Sequence, residues 1–184
     1  MATVILRPTS TTSQTGWASD PIGTAADNNT ATGVAQNNVT CNWTAVLADL
    51  DSSLSGATIN SFTISANGKA GRAGASTCAL MLIHAVDGAF ASENESWNTS
   101  QTTQTTSART TQQNGSSALN YAYINSCSVK IDPNTQGITL YELYVTVDYT
   151  AAGYGNDVNG VAAASIGKVM GVATANIGKV NGVD

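Results

Sequence analysis

Apolar and polar residues alternate along much of the chain with a period of two, the pattern of half-buried β-strands. The clearest run is residues 140–149. There Tyr141, Leu143, Val145, Val147 and Tyr149 face one way, and Glu142, Tyr144, Thr146 and Asp148 the other. This predicts a strand of an antiparallel sheet with one face on a core. Residues 79–86 are apolar on both faces, with Leu80 and Leu82 opposite Met81 and Ile83, which predicts a central strand. Further strands are predicted at 3–7, 39–47, 59–66, 119–123 and 126–131. Turn signals separate them: Ser55-Gly56, Asn67-Gly68, Asp87-Gly88, Asn114-Gly115, Asp132-Pro133-Asn134 and Gln136-Gly137. No long amphipathic helix is predicted before residue 155. Many short strands joined by Gly and Asn turns predict an all-β fold. The expected form is an antiparallel, jelly-roll-like β-sandwich over 1–152, with a C-terminal extension of short repeats over 153–184.

Two stretches lack a core pattern. Residues 99–113 form a Thr/Gln/Ser tract, read as a long exposed loop or an edge strand ordered by a neighbour. The second is the tail, where an 11-residue unit repeats. Asn159-Gly160-Val161 leads to Ile166-Gly167-Lys168-Val169, then Met170-Gly171-Val172 to Ile177-Gly178-Lys179-Val180, and a third copy starts at Asn181-Gly182-Val183. Ala162, Ile166, Val169, Ala173, Ile177 and Val180 would make one stripe on a helix. Recurring glycines, each costing about 1 kcal/mol in a helix interior, favour short helical turns ended by glycine caps. Such units cannot bury their apolar residues alone. Val161, Ile166, Val169, Val172, Ile177, Val180 and Val183 are therefore the candidate anchor residues for docking on another subunit.

Composition narrows the function. Charged residues are 10% of the chain, against roughly 25% in ordinary globular proteins. Hydrophobic residues at 42% suffice for a core, so the polar surface is not a mark of disorder. A net charge of −5, with seven scattered Lys and Arg, argues against nucleic acid as a partner. No apolar run approaches the roughly 18 residues of a membrane helix, so no membrane insertion is expected. The first residues, Met1 to Pro8, lack a charged start followed by an apolar run, so no secretory leader is expected. Cys41, Cys78 and Cys127, odd in number and set in or directly beside predicted strands, read as buried free thiols.

Catalytic patterns are thin. His84 is the single histidine and sits in an apolar strand, which favours a packed core residue. Glu93 and Glu95 are two apart in a polar stretch, read as a solvated loop rather than a glycosidase pair. No Gly-x-Ser-x-Gly elbow, zinc-spaced Cys/His set or phosphate-binding glycine loop occurs. The chain is expected to be non-catalytic and to need no cofactor. Calcium is the one ion with candidate ligands, Asp20, Asp27, Asn28 and Asn29, but the Asp-x-Asp-x-Asp-Gly pattern is missing and ordinary turn chemistry is the favoured reading of these residues. For glycan stacking the candidates are Trp97, expected to be exposed beside the Thr/Gln tract, and Trp17; Trp43 reads as core.

Leu6-Arg7-Pro8, Gly16-Trp17, the Asp27-Asn28-Asn29-Thr30 loop, Trp43 to Leu50, Gly56-Ala57-Thr58-Ile59 and the run from Leu140 to Tyr149, taken together, resemble β-sandwich structural proteins of tailed bacteriophages. The Ile-Gly-Lys-Val-Asn-Gly-Val tail is similar to the ending of many phage structural proteins. The resemblance implies a virion component of the decoration, head-fibre or minor structural type, with no catalytic residues to carry over. Its expected partners are other capsid or tail subunits and further copies of itself. The particle would assemble in the host cytoplasm, leave by lysis, and carry this chain on its surface. The alternative is a carbohydrate-binding module for receptor binding or adhesion, with a host-surface glycan as partner.

Overall fold

The computed structural model describes residues 1–37, 41–71, 76–135 and 137–152, together with the backbone of 168–169 and 172–173. Two antiparallel sheets face each other. The first has the order β1 (Ala2–Leu6), β11 (Ile138–Thr150), β5 (Thr58–Ala70), β9 (Thr102–Thr105), and β3 (Val34–Ala35) also pairs with β11. The second runs β2 (Pro8–Thr15), β4 (Asn42–Leu47), β10 (Cys127–Pro133), β6 (Ser76–His84), with β7 (Gly88–Ala89) and β8 (Glu93–Trp97) both on the far side of β6. Short helices α1 (Ile22–Ala25) and α2 (Tyr121–Asn125) and a 3-10 turn at Ser52–Leu54 occupy the connections. Consecutive strands repeatedly change sheets: β1 to β2, β4 to β5, β5 to β6, β8 to β9 and β10 to β11. This is the jelly-roll-like antiparallel sandwich that the alternation predicts.

Alternation explains the core. Trp43, Ala45 and Leu47 on β4, Val129 and Ile131 on β10, and Leu80 and Leu82 on β6 turn to one side. Phe62, Ile64 and Ala66 on β5 and Leu143, Val145 and Val147 on β11 close over them, all in a single buried cluster. Cys41, Cys78 and Cys127 are buried free thiols, as expected.

Local differences have physical causes. The predicted turn at Asn67-Gly68 lies inside β5. Gly68 is needed for close approach instead, since a Cβ there would stand 3.2 Å from the Trp97 ring and from the Thr139 carbonyl. Residues 119–123 are not a strand. Asn120 caps α2 by accepting the Tyr123 N–H at 2.9 Å, and Leu119, Tyr123 and Ile124 are buried together. The face assignment along β11 breaks at Tyr141. Leu140 pairs with Gly68 and Glu142 with Asn67, so Tyr141 is the bulge residue, packed beside Gly33 and under Lys69 Nζ, 5.4 Å from its ring. Glu93 and Glu95 lie on β8 rather than in a loop. The tract at 99–113 contains β9, an edge strand ordered against β5. In the tail, Lys168–Val169 (β12) pairs antiparallel with Val172–Ala173 (β13), so the expected helical turn does not hold for these four residues.

Candidate functional site

Strand geometry places the tryptophans inside. β8 alternates so that Glu93, Glu95 and Trp97 turn inward, while Asn94 and Ser96 turn out. Trp97 is 1% exposed and donates from Nε1 to the Thr102 carbonyl at 3.0 Å. Trp17 is 6% exposed and donates to the Asn42 carbonyl at 3.1 Å. Neither offers the free ring face that sugar stacking needs, so both are corrected from stacking candidates to core residues. Trp43 is core, as read.

Asp20, Asp27 and Asn29 serve turns. Asp20 Oδ1 accepts from the Thr11 hydroxyl and the Ile22 N–H. Asp27 accepts from the Asn29 N–H and the Thr32 hydroxyl, and Asn29 Oδ1 accepts from the Ala31 N–H. Their oxygens are thus directed at local donors, and among the described residues no three acidic, His or Cys side chains gather as metal ligands. His84 stacks on Tyr123 at 3.9 Å and accepts the Asp87 N–H at Nδ1, 3.1 Å away. Glu93 pairs with Arg109 at 2.8 Å and accepts the Ser107 N–H. Beside them, Phe62, Phe90, Leu80 and Arg109 line a cavity of about 10 Å³, room for about one water molecule and far too small for a sugar ring. Of the anchor candidates, Val161, Ile166, Ile177, Val180 and Val183 lie outside the described residues, and Val169 and Val172 are placed in β12 and β13 by their backbone alone.

The outer face of the first sheet gathers what the sequence left scattered. Register aligns Glu142, Asn67 and Thr103 across β11, β5 and β9, and aligns Tyr144, Ser65 and Thr105 in the neighbouring row. Asn67 Nδ2 donates to Thr103 Oγ1 at 2.9 Å, and the Ser65 and Thr105 hydroxyls meet at 2.8 Å. Although they belong to the polar face, Ser65, Asn67 and Glu142 are only 4%, 9% and 8% exposed. Part of their cover comes from the loop between α1 and β3. Gln101 Nε2 bridges the Thr30 carbonyl of that loop to Asn67 Oδ1, at 2.8 and 2.7 Å.

Arg7, at the crossing from β1 to β2, reaches the same place. Its Nη2 donates to Asn28 Oδ1, and its guanidinium carbon lies 5.3 Å from the centre of the Tyr144 ring. Nη2 also approaches Glu142 Oε1 to 2.9 Å, but without the alignment of a hydrogen bond. Arg7 Nη1 and Glu142 Oε1 are consequently both buried with no hydrogen-bond partner within the protein. The sequence signal for this pair is faint: one charge on the outer face of a strand and one beside a proline, in a chain with few charges.

The sequence matches no protein-family model and no curated protein. Among solved structures, one similar chain is the C-terminal family 6 carbohydrate-binding module of LamC, a marine laminarinase from Zobellia galactanivorans. The two share 10% identity and a TM-score of 0.47, over 79% of this chain and 98% of that one. Another is the family 32 carbohydrate-binding module of C. perfringens NanJ, in complex with galactose. It gives 17% identity and a TM-score of 0.42, over 78% of this chain and 93% of that one.

Proposed function

We propose that this chain is a non-catalytic carbohydrate-binding module whose ligand lies on the outer face of the first sheet, beside the loop between α1 and β3. The observation that carries this reading is the sunken polar floor of Glu142, Asn67 and Ser65, flanked by Arg7, Gln101 and the half-buried Tyr144. Planar amide, carboxylate and guanidinium groups in fixed orientation suit ligands rich in hydroxyls, which donate and accept at once. The non-catalytic part of the reading is supported by the dispersal of acid–base groups: His84 is tied to its own turn, and Glu93 to Arg109. The test is a glycan array probed with the full chain, repeated with Asn67→Ala and Tyr144→Ala. Binding that both substitutions weaken is expected. A blank array, or binding indifferent to both, rejects the proposal.

A second reading is favoured by the 11-residue repeat: a decoration or head-fibre protein on a phage particle, held there by its tail and exposed at the surface. The two are compatible, because a displayed module can also bind a host glycan. Copy number per particle tests the second. Decoration requires a multiple set by the shell symmetry, whereas absence of the chain from purified particles rejects it.

A further inference from the structure

An orphan donor and an orphan acceptor buried side by side specify their ligand more narrowly than a polar face does. Leaving either atom desolvated without a hydrogen bond is costly, even though Arg7 Nη2 and Glu142 Oε1 form an ion pair at 2.9 Å. Arg7 Nη1 offers an N–H and Glu142 Oε1 offers lone pairs. A carboxylate ligand would satisfy Arg7 but meet the charge of Glu142. An ammonium ligand would do the reverse. Two adjacent hydroxyls match both, one accepting from Nη1 and the other donating to Oε1.

The loop between α1 and β3 meets this pair at Asn28, while its end at Gly33 packs against the Tyr141 ring. The loop is folded largely on itself, through Asp27 to Asn29 and Thr32 and through Asn29 to Ala31. Its side-chain-mediated ties to the floor are Arg7 to Asn28 and Gln101 to the Thr30 carbonyl. Asn28 sits in the left-handed region at φ 60° and presents its amide oxygen to Arg7 Nη2, the nitrogen next to the orphan Nη1.

We propose that Arg7 and Glu142 form the subsite for a neutral sugar bearing two adjacent free hydroxyls, and that Asn28, by accepting from the neighbouring Nη2, keeps the loop over this subsite until the sugar displaces it. This rests on the carbohydrate-binding reading and deepens it.

The experiment is titration of the full chain, followed by NMR and calorimetry, with methyl glycosides of glucose, galactose and mannose, with glucuronate, with glucosamine, and with deoxy analogues of whichever glycoside binds. Neutral glycosides should bind. The uronate, the amino sugar and the analogue lacking one of the two hydroxyls should each bind at least about tenfold more weakly. Glu142→Gln and Arg7→Lys, checked for folding by their spectra, should weaken binding about 10- to 100-fold. Asn28→Gly keeps the left-handed backbone but removes the amide that ties the loop to Arg7 Nη2, so it should tighten binding by up to about tenfold. That last result has the opposite sign from the loss of an ordinary contact, and it does not depend on substituting the buried pair. If the array and every titration stay blank, the carbohydrate reading itself fails and this subsite with it. If sugars bind but charged and neutral forms are equal, or Asn28→Gly leaves affinity unchanged or weaker, the subsite is wrong and the broader reading stands.

Discussion

Glu95 stands half-buried on β8, two residues from Glu93 on the same face of the strand. Glu93 has Arg109 as its counter-ion, whereas Glu95 has no counter-ion among the described residues. Burial first, and the charge of Glu93 second, push the Glu95 carboxyl above its ordinary value. A carboxyl raised in the folded state favours folding while protonated, and that contribution is lost as pH rises through the folded value. Glu95→Gln should therefore raise the melting temperature at pH 7 and leave it unchanged near pH 3, where the native carboxyl is protonated in both states. Thermal melts at the two pH values check this; a Gln variant less stable at pH 7 would show that the charge is compensated. The thiols follow the same logic. Burial pushes Cys41 and Cys127 to about 12 and Cys78 well above its ordinary value, so little thiolate exists near neutrality. Thiol titration with an aromatic disulfide reagent should find none of the three cysteines in the native protein and all three after denaturation.

At the scale of elements, the joint between β5 and β8 is the most sharply constrained. Gly68 lets the Trp97 ring lie against the strand, and Trp97 Nε1 then ties β8 to β9 through Thr102. Gly68→Ala should destabilise by about 1–3 kcal/mol through overpacking, read from denaturant unfolding. A neutral substitution would mean that the ring can retreat. The same region shows what a sequence can and cannot reveal. β4, β5, β6, β10 and β11 were legible because each puts a row of apolar residues on the core. β2 (PTSTTSQT) was not, and β9 (TTQT) was legible only as one of two readings of the tract at 99–113, because edge strands mostly in solvent are held by backbone pairing and leave no apolar period. Leu119, Tyr121 and Tyr123 satisfy a period of two, yet Leu119 and Tyr123 also satisfy a helical i, i+4 spacing, and the Asn120 cap decides for the helix. The candidate site was hidden for a further reason. Glu142, Asn67 and Thr103 come from three strands, and their alignment depends on the bulge at Tyr141, which the alternation along residues 140–149 does not disclose.

For the whole molecule, the question is whether the sandwich depends on its tail. The core cluster closes using residues from Leu6 to Val147, and β11, the last strand before the tail, is already paired on one side with β1 and on the other with β5. Among the described residues β11 therefore has a partner on each side without the tail. Among the described residues β12 and β13 pair only with each other, two residues on each side, and a ladder of that size does not sustain itself in water. The apolar positions that recur every 11 residues therefore have reason to seek a surface outside the sandwich. Deleting 155–184 should change sandwich stability by less than about 0.5 kcal/mol, a shift of about 1–2 °C in melting temperature. The same deletion should abolish self-association in sedimentation velocity and attachment to particles, if particles are where the chain resides. A melting temperature lower by about 5 °C or more would make the tail part of the sandwich core rather than an anchor. An unchanged melting temperature with assembly intact would remove the tail from both roles and move the contact surface to the sandwich itself, where Ile5 on β1, Val46 on β4 and Val86 after β6 are exposed apolar side chains to substitute next.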